Sequence, residues 1–446
     1  MAQVFPFRAF RYNPRLAPFQ SVLTQPYDKI SAEMQRKYYE AHPQNLITVE
    51  KGKEFPGDVP GNNVYSRAAA AFKDWEAKDV IVEDAAPSFY AYTQEFTVPG
   101  TTERRTRRGF IGAGRLEDYS AGVVFRHEHT LSGPKADRLE LLRSTRTHTG
   151  QLFMLYSDPQ KRVDAVLAEA GSAAPPVTEV HDEYGVTHRL WIISDPQGVA
   201  AIQSTMADRK LVIADGHHRY ETALSYRNER RTQSASADPN APYERAMMTF
   251  VNTRAEGLVI LPTHRVAANV HDFSWPAVRR HLEPWFATEV FAFADDAQKE
   301  SARESFLARL KSSAGRRAIG AYPAAGERQR AFYLLVLRPG ADLSQLLPGV
   351  SPLERDLDVV LLHEGILEPA LGITPHAVAK EANLTYEREA LSALAAVDSG
   401  KAQISFLLNA CEVEKVVEIA TANEVLPQKS TDFFPKLLSG ITMYRV

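Results

Sequence analysis

The sequence predicts an α+β protein built around a mixed sheet, and three patterns support this fold class. Alternating apolar and polar residues in 88–96 and 107–113, on either side of a Pro-Gly turn, predict an antiparallel hairpin. The short apolar run 211–214 is typical of a buried strand. Ala68, Phe72 and Trp75 recur at helical spacing and predict an amphipathic helix. The chain is therefore predicted to contain both helices and strands.

The remaining elements follow from the same patterns in chain order. The stretch up to Lys29 is rich in Pro, Arg and aromatic residues and predicts an extended arm, and Ser31 predicts the N-cap of a helix toward Tyr39. Further helices are predicted at 65–77, 135–147, 162–170, 196–206, 220–229, 275–282, 297–312, 358–371, 387–397 and 412–423. Further strands are predicted at 80–82, 151–156, 178–181, 188–193, 245–252, 257–261, 287–293, 317–322, 331–337 and 403–409.

Changes in composition along the chain predict three regions. Residues 1–269 carry most of the reactive side chains and form the first predicted region, which contains the candidate catalytic residues. Residues 270–340 predict an α+β unit with few reactive residues, and 341–446 predict a C-terminal α/β region that packs on the core. A chain of 446 residues is long enough for two or three hydrophobic cores.

Composition and charge exclude several classes of protein. With 52 basic and 55 acidic residues, the chain has no overall field that would attract nucleic acid or an anionic membrane. Cys411 is the single cysteine, which excludes an internal disulfide and suits a reducing compartment. No run of 18 apolar residues occurs, so we expect a cytoplasmic protein. A homodimer is compatible with the sequence, which does not fix the oligomeric state.

The segment 213–220, Ile-Ala-Asp-Gly-His-His-Arg-Tyr, predicts an anion-binding turn between a strand and a helix. Gly216 permits close backbone approach or a positive φ, and Asp215 can orient a histidine or hold a hydrated Mg²⁺. The predicted phosphate-binding residues are Asp215, Gly216, His217, His218 and Arg219. The alternative is structural: Asp215 caps a helix that begins at Tyr220, and the histidines are satisfied core residues.

This string, with Thr-Ala-Leu at 222–224, resembles the phosphate-binding loop of the ParB/sulfiredoxin superfamily, and it resembles the free-serine kinases of that superfamily still more closely. The chain is identified as a member of the family catalogued as domain of unknown function 1015 on segments 25–31, 127–130, 135–138, 261–265, 427–431 and 434–436. The resemblance implies a ParB/sulfiredoxin-like nucleotide-binding core with insertions. His217 stands where sulfiredoxins have their catalytic cysteine, so the sulfiredoxin reaction is excluded.

The resemblance to the serine kinases implies transfer of phosphate from ATP or ADP, with Mg²⁺, to the hydroxyl of free serine or a similar metabolite. His218 and Arg219 would neutralise charge on the phosphate. Asp28 is the predicted base, because an N-terminal acidic residue has this role in those kinases, and Glu50 is the reserve candidate. Asp28 could instead cap the helix near Ser31. Those kinases are much shorter, and the region after Val270 has no counterpart in them.

Several polar residues outside this segment are candidates for substrate binding. They are His127, Glu128, Lys135, Arg138, His264, Lys429 and Ser430. For the His-Glu-His motif at 127–129 a metal site and a purely structural role stay open. His264 follows an apolar strand and could equally be an ordinary strand end, and the basic loop 429–436 could be a tail that packs against the core.

Two other functions are compatible with these residues. A non-catalytic nucleotide-binding regulatory protein would carry the same loop. A metal-dependent hydrolase, a phosphatase or nuclease, would use His127, His129, His217 and His218 as ligands. The kinase predicts nucleotide-dependent phosphorylation of a small hydroxyl compound, whereas the hydrolase predicts turnover without nucleotide.

Overall fold

The computed structural model describes residues 1–128, 132–233, 238–324, 330–380 and 382–446. The chain divides into two compact units. Unit 1 comprises Met1–Arg126, Thr130–Val259 and Pro435–Val446, and unit 2 comprises His127–His129 and Ile260–Phe434. These units differ from the three predicted regions because one sheet of unit 2 takes strands from both regions after residue 269, while the last segment of the chain belongs to unit 1.

Unit 1 is organised around a mixed sheet that has nine strands among the described residues. Across the sheet, the main path runs Val124–Phe125, Leu211–Asp215, Leu152–Tyr156, Arg245–Asn252, Arg104–Arg115, Phe89–Thr97, Thr187–Ile193 and Thr178–His181, and Val4–Phe5 pairs with Arg104–Arg115. Two of the pairings are parallel and the rest are antiparallel. The predicted α+β class with a mixed sheet is confirmed.

The N-terminal stretch is more regular than the predicted extended arm. Val4–Phe5 joins the main sheet, Phe10–Tyr12 pairs with Ile81–Glu83, and Phe19–Val22 is a short helix. Apolar alternation was too short in each strand to predict it from sequence. Thr147–His148 and Tyr444–Arg445 form a further antiparallel pair in this unit.

Helices of unit 1 cover the sheet and supply the connections between its strands. They are Phe19–Val22, Ala32–Ala41, Ile47–Glu50, Val64–Ala77, Ser132–Thr145, Arg162–Ala173, Pro196–Met206 and His217–Gln233, with single turns at Tyr27–Lys29, Tyr119–Ala121 and Pro242–Glu244. Ser31 caps its helix as predicted, since its side chain accepts a hydrogen bond from the Met34 amide at 3.2 Å. Among the described helices, none has the length and apolar character that crossing a bilayer requires.

Unit 2 contains an antiparallel six-stranded sheet in its described part. The strand order is Phe286–Phe293, Arg330–Leu337, Ala318–Pro323, Ile404–Leu408, His264–Ala267 and Leu384–Glu387, and Val259–Leu261 and Asp432–Phe434 form a separate pair. Its helices are Trp275–Leu282, Asp296–Ser312, Leu343–Leu346, Asp358–Leu362, Glu368–Leu371, Pro375–Ala379, Ala390–Asp398 and Val413–Thr421, with a single turn at Glu354–Asp356. The predicted helix 358–371 is interrupted by a π-helix at His363–Leu367.

Each unit has its own hydrophobic core. In unit 1, Phe110 is fully buried at the centre of the sheet, and its ring centroid lies 4.8 Å from that of Phe250 and 5.4 Å from that of Phe89. Aromatic rings at these separations add to the free energy gained by burying apolar area. The central strands are therefore fixed to one another on this face.

Replacing Phe110 with alanine is expected to lower the free energy of unfolding of unit 1 by ~3–5 kcal/mol, because it removes a buried ring and leaves a cavity. Chemical denaturation followed by circular dichroism measures the change. Phe55→Ala is the matched control, since Phe55 is 53% exposed, and should cost under ~1 kcal/mol. Equal losses in the two variants would contradict this account of the core.

Candidate functional site

The strand Leu211–Asp215 ends in an irregularity that sets the direction of Asp215. Its pairing with Leu152–Tyr156 shifts register between Ile213 and Asp215, which leaves Ala214 as an extra residue. Such a bulge re-aims the side chain that follows it. Gly216 then adopts a φ of 94°, which a side chain would disfavour, and turns the chain into the next helix.

The helix starts at His217, three residues earlier than predicted. Gly216 occupies the capping position, where its carbonyl accepts a hydrogen bond from the Tyr220 amide at 2.9 Å. His217 and His218 therefore lie in the first helical turn rather than in a preceding loop. Apolar periodicity begins only at Tyr220, so the sequence pattern missed a first turn made of polar residues.

The Asp215 carboxylate is held between two cations. Its Oδ2 accepts a hydrogen bond from Arg219 Nη2 at 2.8 Å, and its Oδ1 accepts one from Lys436 Nζ at 3.0 Å. Burial disfavours the charged carboxylate, but Lys436, Arg219 and Lys29 outweigh burial and hold the pKa of Asp215 well below its ordinary range. The group is an anion flanked by an excess of positive charge.

Arg219 is the centre of these contacts. Burial lowers its pKa, but the carboxylates of Asp215 and Asp28 act in the opposite direction and the net shift is upward. Its Nη1 also donates to the carbonyl of Gln151. A Cβ added to Gly216 or to Gly150 would lie 3.2 Å from the guanidinium, so both glycines allow the backbone to approach it closely.

A second carboxylate, Glu50, lies beside this cluster and is only 2% exposed. Thr149 Oγ1 donates to its Oε2, and Ser439 Oγ donates to its Oε1 at 3.1 Å. The Cβ position of Gly150 is 3.5 Å from Glu50 Oε1 and 3.2 Å from Arg219 Nη1, so these two groups converge on one glycine. Two hydroxyl donors stabilise the charge of this buried carboxylate.

A small pocket of about 50 Å³ opens between these groups. Its lining includes Tyr27, Glu50, Arg138, His148, Thr149, Gly150 and Arg219. Burial lowers the pKa of His148 to about 4, and Arg219 contributes to this shift. Burial raises the pKa of Tyr27 to about 12. This lining combines a buried carboxyl group, half-buried guanidinium groups and a neutral imidazole.

Lys436 is held in place by backbone contacts of the C-terminal segment. Gln94 Nε2 donates to the Lys436 carbonyl at 2.7 Å, and the buried Arg107 donates to the Pro435 carbonyl. Gln151 Nε2 donates to the Leu438 carbonyl at 3.1 Å. The lysine side chain is 9% exposed. Polar residues on two strands of the main sheet, and one just before a third, thus hold the segment that carries the lysine contacting Asp215.

The remaining predicted site residues of unit 1 lie near these groups. Asp28 is exposed on the turn Tyr27–Lys29, within electrostatic reach of Arg219. Arg138 Nη1 donates to the Glu50 carbonyl at 2.8 Å, and its guanidinium lies 4.4 Å from the centroid of the Tyr27 ring. Lys135 instead forms an ion pair with Glu221 at 2.6 Å. His217 is buried and His218 is half-buried.

The other predicted residues belong to unit 2. Buried His127 contacts Thr431 Oγ1 at 2.8 Å through its Nε2, and Glu128 Oε1 accepts from the Lys429 amide at 2.5 Å. Ser430 Oγ donates to the Pro427 carbonyl. His264 Nδ1 accepts from the Leu408 amide at 3.2 Å, and burial together with Arg265 lowers its pKa to about 4. Substrate binding by these residues stays a prediction.

Neither metal prediction gains support from the geometry. Within the ranges that the structure describes, no three His, Cys, Asp or Glu residues are grouped as a metal site would require. Both oxygens of Asp215, the predicted Mg²⁺ ligand, are engaged by cations. His129, one of the ligands in the hydrolase hypothesis, lies outside the described residues.

The amino-acid sequence matches the family model described as "Protein of unknown function (DUF1015)" over residues 4–360. The chain belongs to this family. No curated protein gives a significant match to it.

Solved structures similar to the chain include a variant free serine kinase in complex with AMP, with 10% identity, a TM-score of 0.34, and coverage of 70% of this chain and 84% of that one. SbnI from Staphylococcus aureus, with a C-terminal truncation, has 8% identity, a TM-score of 0.33, and coverage of 74% and 85%. A conserved hypothetical protein from Pyrococcus furiosus has 15% identity, a TM-score of 0.30, and coverage of 70% and 87%. These values are too low to assign a role to any residue of this chain.

Sequence reasoning missed several residues of the cluster. His148, Thr149, Gly150 and Gln151 stand between the end of a helix and a buried strand, where a run of small and polar residues was the available signal. Ser439 follows the basic loop 429–436 and belongs to none of the sequence motifs. Its contact with Glu50 joins residues 389 positions apart, which no local pattern reveals.

His148 is expected to make unit 1 less stable in acid. Its folded pKa of about 4 lies below the unfolded value of about 6.5, so the unfolded chain binds more protons between these values. The stabilising contribution is complete above pH 6.5 and falls by up to ~1.4 kcal/mol per pH unit as the pH drops toward 4. Denaturation curves of His148→Gln at pH 7 and pH 5 should differ less than those of the parent. The exposed His181→Gln, in the same unit, should keep the parent's difference, and a His148 variant that also keeps it would refute the assignment.

Proposed function

We propose that unit 1 binds the phosphates of ATP or ADP at the first turn of the helix His217–Gln233 and transfers a phosphate to the hydroxyl of free serine or a similar small metabolite. The observation that carries the proposal is that Arg219 and Lys436 both donate hydrogen bonds to the carboxylate of Asp215, at the start of a 17-residue helix. The similarity of segment 215–224 to the phosphate-binding loop of serine kinases supports the choice of ligand.

Elementary electrostatics favours an anion at this position. The first amides of a helix have no partner inside the helix, and the helix dipole adds positive potential there. Arg219 and Lys436 add two formal charges, of which Asp215 neutralises one. A phosphate group would supply the balancing negative charge and accept charge-assisted hydrogen bonds from these donors.

The backbone around Arg219 has the shape that close phosphate approach requires. Gly150 and Gly216 carry no side chain where a Cβ would meet the guanidinium at 3.2 Å. Gly216 also has the positive φ that lets the strand turn directly into the helix. Asp215 orients Arg219 through an ion pair within one helical turn, which reduces the rotamer freedom that phosphate binding must remove.

The acceptor hydroxyl is proposed to enter the pocket beside Glu50. A volume of about 50 Å³ is sufficient for a hydroxymethyl group, since a water molecule occupies about 30 Å³ in the liquid. Asp28, the base predicted from sequence, is exposed, whereas Glu50 is buried next to Arg219 and accepts two hydroxyl hydrogen bonds. Either carboxylate could take the proton of the acceptor, and Glu50 has the more protected position.

Mg²⁺ would bind together with the nucleotide rather than at a site formed by protein side chains alone. The described residues of unit 1 provide no group of three ligands, and Mg²⁺ at such sites is held mainly by phosphate oxygens and water. Its chemistry is to neutralise charge on the phosphates. Arg219, Lys436 and the helix terminus would orient those phosphates.

Arg219→Ala is expected to weaken nucleotide binding by about 10- to 100-fold, the loss typical of a charged hydrogen bond. Isothermal titration calorimetry with ATP and ADP in the presence of Mg²⁺ measures the affinity. Arg143→Ala is the control, because Arg143 is a partly exposed arginine of the same unit whose ion pair is with Glu229. Unchanged affinity in a folded Arg219→Ala protein would remove the phosphate site from segment 215–219.

Turnover separates a kinase from a protein that only binds nucleotide. The parent protein is incubated with ATP or ADP, Mg²⁺ and a mixture of hydroxyl metabolites that includes serine, and mass spectrometry detects an added phosphate. We expect phosphorylated product that Arg219→Ala abolishes. Nucleotide binding without product from any acceptor would overturn the kinase proposal and favour a non-catalytic binding protein.

A comparison of the variants Asp28→Asn and Glu50→Gln identifies which carboxylate is the general base. Loss of a general base lowers kcat by about 10²- to 10⁴-fold. If Glu50 takes the proton, Glu50→Gln shows this loss while the KM for nucleotide stays near the parent value, and Asp28→Asn loses far less. The reverse result assigns the role to Asp28, and full activity in both variants excludes the scheme.

A further inference from the structure

Unit 2 contains a cavity of about 450 Å³ that has no part in the proposed reaction. Its volume lies in the range of pockets that bind small organic molecules. The lining comes from the turn Glu354–Asp356, the π-helix His363–Leu367 and the segment before Lys429, all within this unit. A π-helical turn inside an α-helix is rare and is frequently found at functional sites.

One side of the cavity is hydrocarbon. It is formed by Val350, Val360, Ile373, Val378, Val425 and Leu426. A wall of branched aliphatic side chains contributes binding free energy by removing apolar surface of a ligand from water. It also excludes a ligand that is charged over its whole length, because such a ligand would lose hydration here without compensation.

The other side of the cavity is acidic. Glu354, Glu364 and Glu368 line it, and Glu364 is half-buried. Burial raises the pKa of Glu364, and the charges of Glu368 and Glu354 raise it further. Each of these influences disfavours the ionised carboxylate. A cation in the cavity would relieve the repulsion among the three groups and would hydrogen-bond to them.

His363 adds an imidazole to the cavity lining, and a hydrogen bond from Arg265 determines which ring nitrogen carries the proton. Arg265 Nε donates to His363 Nε2 at 3.2 Å, and Arg265 is itself anchored by its bond to the Lys429 carbonyl at 3.0 Å. Burial lowers the pKa of His363 to about 3, with Arg265 contributing. Since Nε2 accepts a hydrogen bond, the proton of the neutral ring is on Nδ1, which makes this atom a donor.

We propose that this cavity is a binding site for a small organic cation with a branched apolar body, such as an alkylammonium compound. The ammonium group would bind Glu364 and Glu368, and the hydrocarbon would pack on the aliphatic wall. The cavity shares no residue with the site proposed in unit 1, so either proposal can fail without the other.

Three probes of the same shape and different charge test this assignment. They are 3-methylbutylammonium, the neutral 3-methylbutanol and the anionic 3-methylbutanoate. Calorimetry on the full chain is expected to show at least about tenfold tighter binding of the cation than of the neutral or anionic probe. Methyl NMR locates the binding, because Val378, Ile373 and Leu426 should shift while valines of the unit 1 sheet do not.

Glu364→Gln removes the charge with little change in size, and the cation should then bind about tenfold more weakly. Glu304→Gln is the matched control, since Glu304 is an exposed carboxylate on another helix of unit 2, and should bind as the parent does. Circular dichroism confirms that both variants fold. Equal binding of cation and anion, binding unaffected by Glu364→Gln, or no shift of the cavity methyl groups at millimolar probe would each overturn the proposal.

Discussion

The ion pairs of Asp215 with Arg219 and Lys436 are the interaction on which the architecture of unit 1 converges. They connect the end of the strand Leu211–Asp215, the first turn of the helix that follows it and the segment that returns at the C-terminus. These side chains are partly buried, and removing one partner would leave a desolvated charge without compensation, which destabilises the fold. One carboxylate therefore joins the strand-to-helix turn 215–219 to a segment that lies 221 residues further along the chain.

The contact that holds the two cations in place is distinct from the contact that we propose they make with a ligand. Asp215 fixes Arg219 and Lys436 in position, while we propose that their excess charge and the helix terminus bind an anion. Preorganised charges of this kind favour phosphoryl transfer because no reorganisation is needed as charge develops. Glu50, in the same cluster, accepts its hydrogen bonds from the hydroxyl groups of Thr149 and Ser439.

The sequence predicted the elements of both units better than their assembly. Sequence patterns identified the helix Pro196–Met206 and the strand Arg245–Asn252 with their observed bounds, because the helix buries one face and the strand is a short run buried on both faces. They placed the start of the helix His217–Gln233 too late, since the first turn is polar. They could not predict the contact of Lys436 with Asp215. That contact depends on hydrogen bonds from the side chains of Gln94 and Arg107 to the backbone of a segment more than 300 residues away.

Because Pro435–Val446 belongs to unit 1, the synthesis of unit 1 ends only after that of unit 2. Lys436 follows all of unit 2 in the chain, so the ribosome completes the sheet of unit 1 long before it supplies this cation. At about 5–20 residues per second the delay is on the order of ten seconds. During that time Asp215 lacks its ion pair with Lys436, and the nascent protein carries the fold of unit 1 without one cation of the proposed anion site.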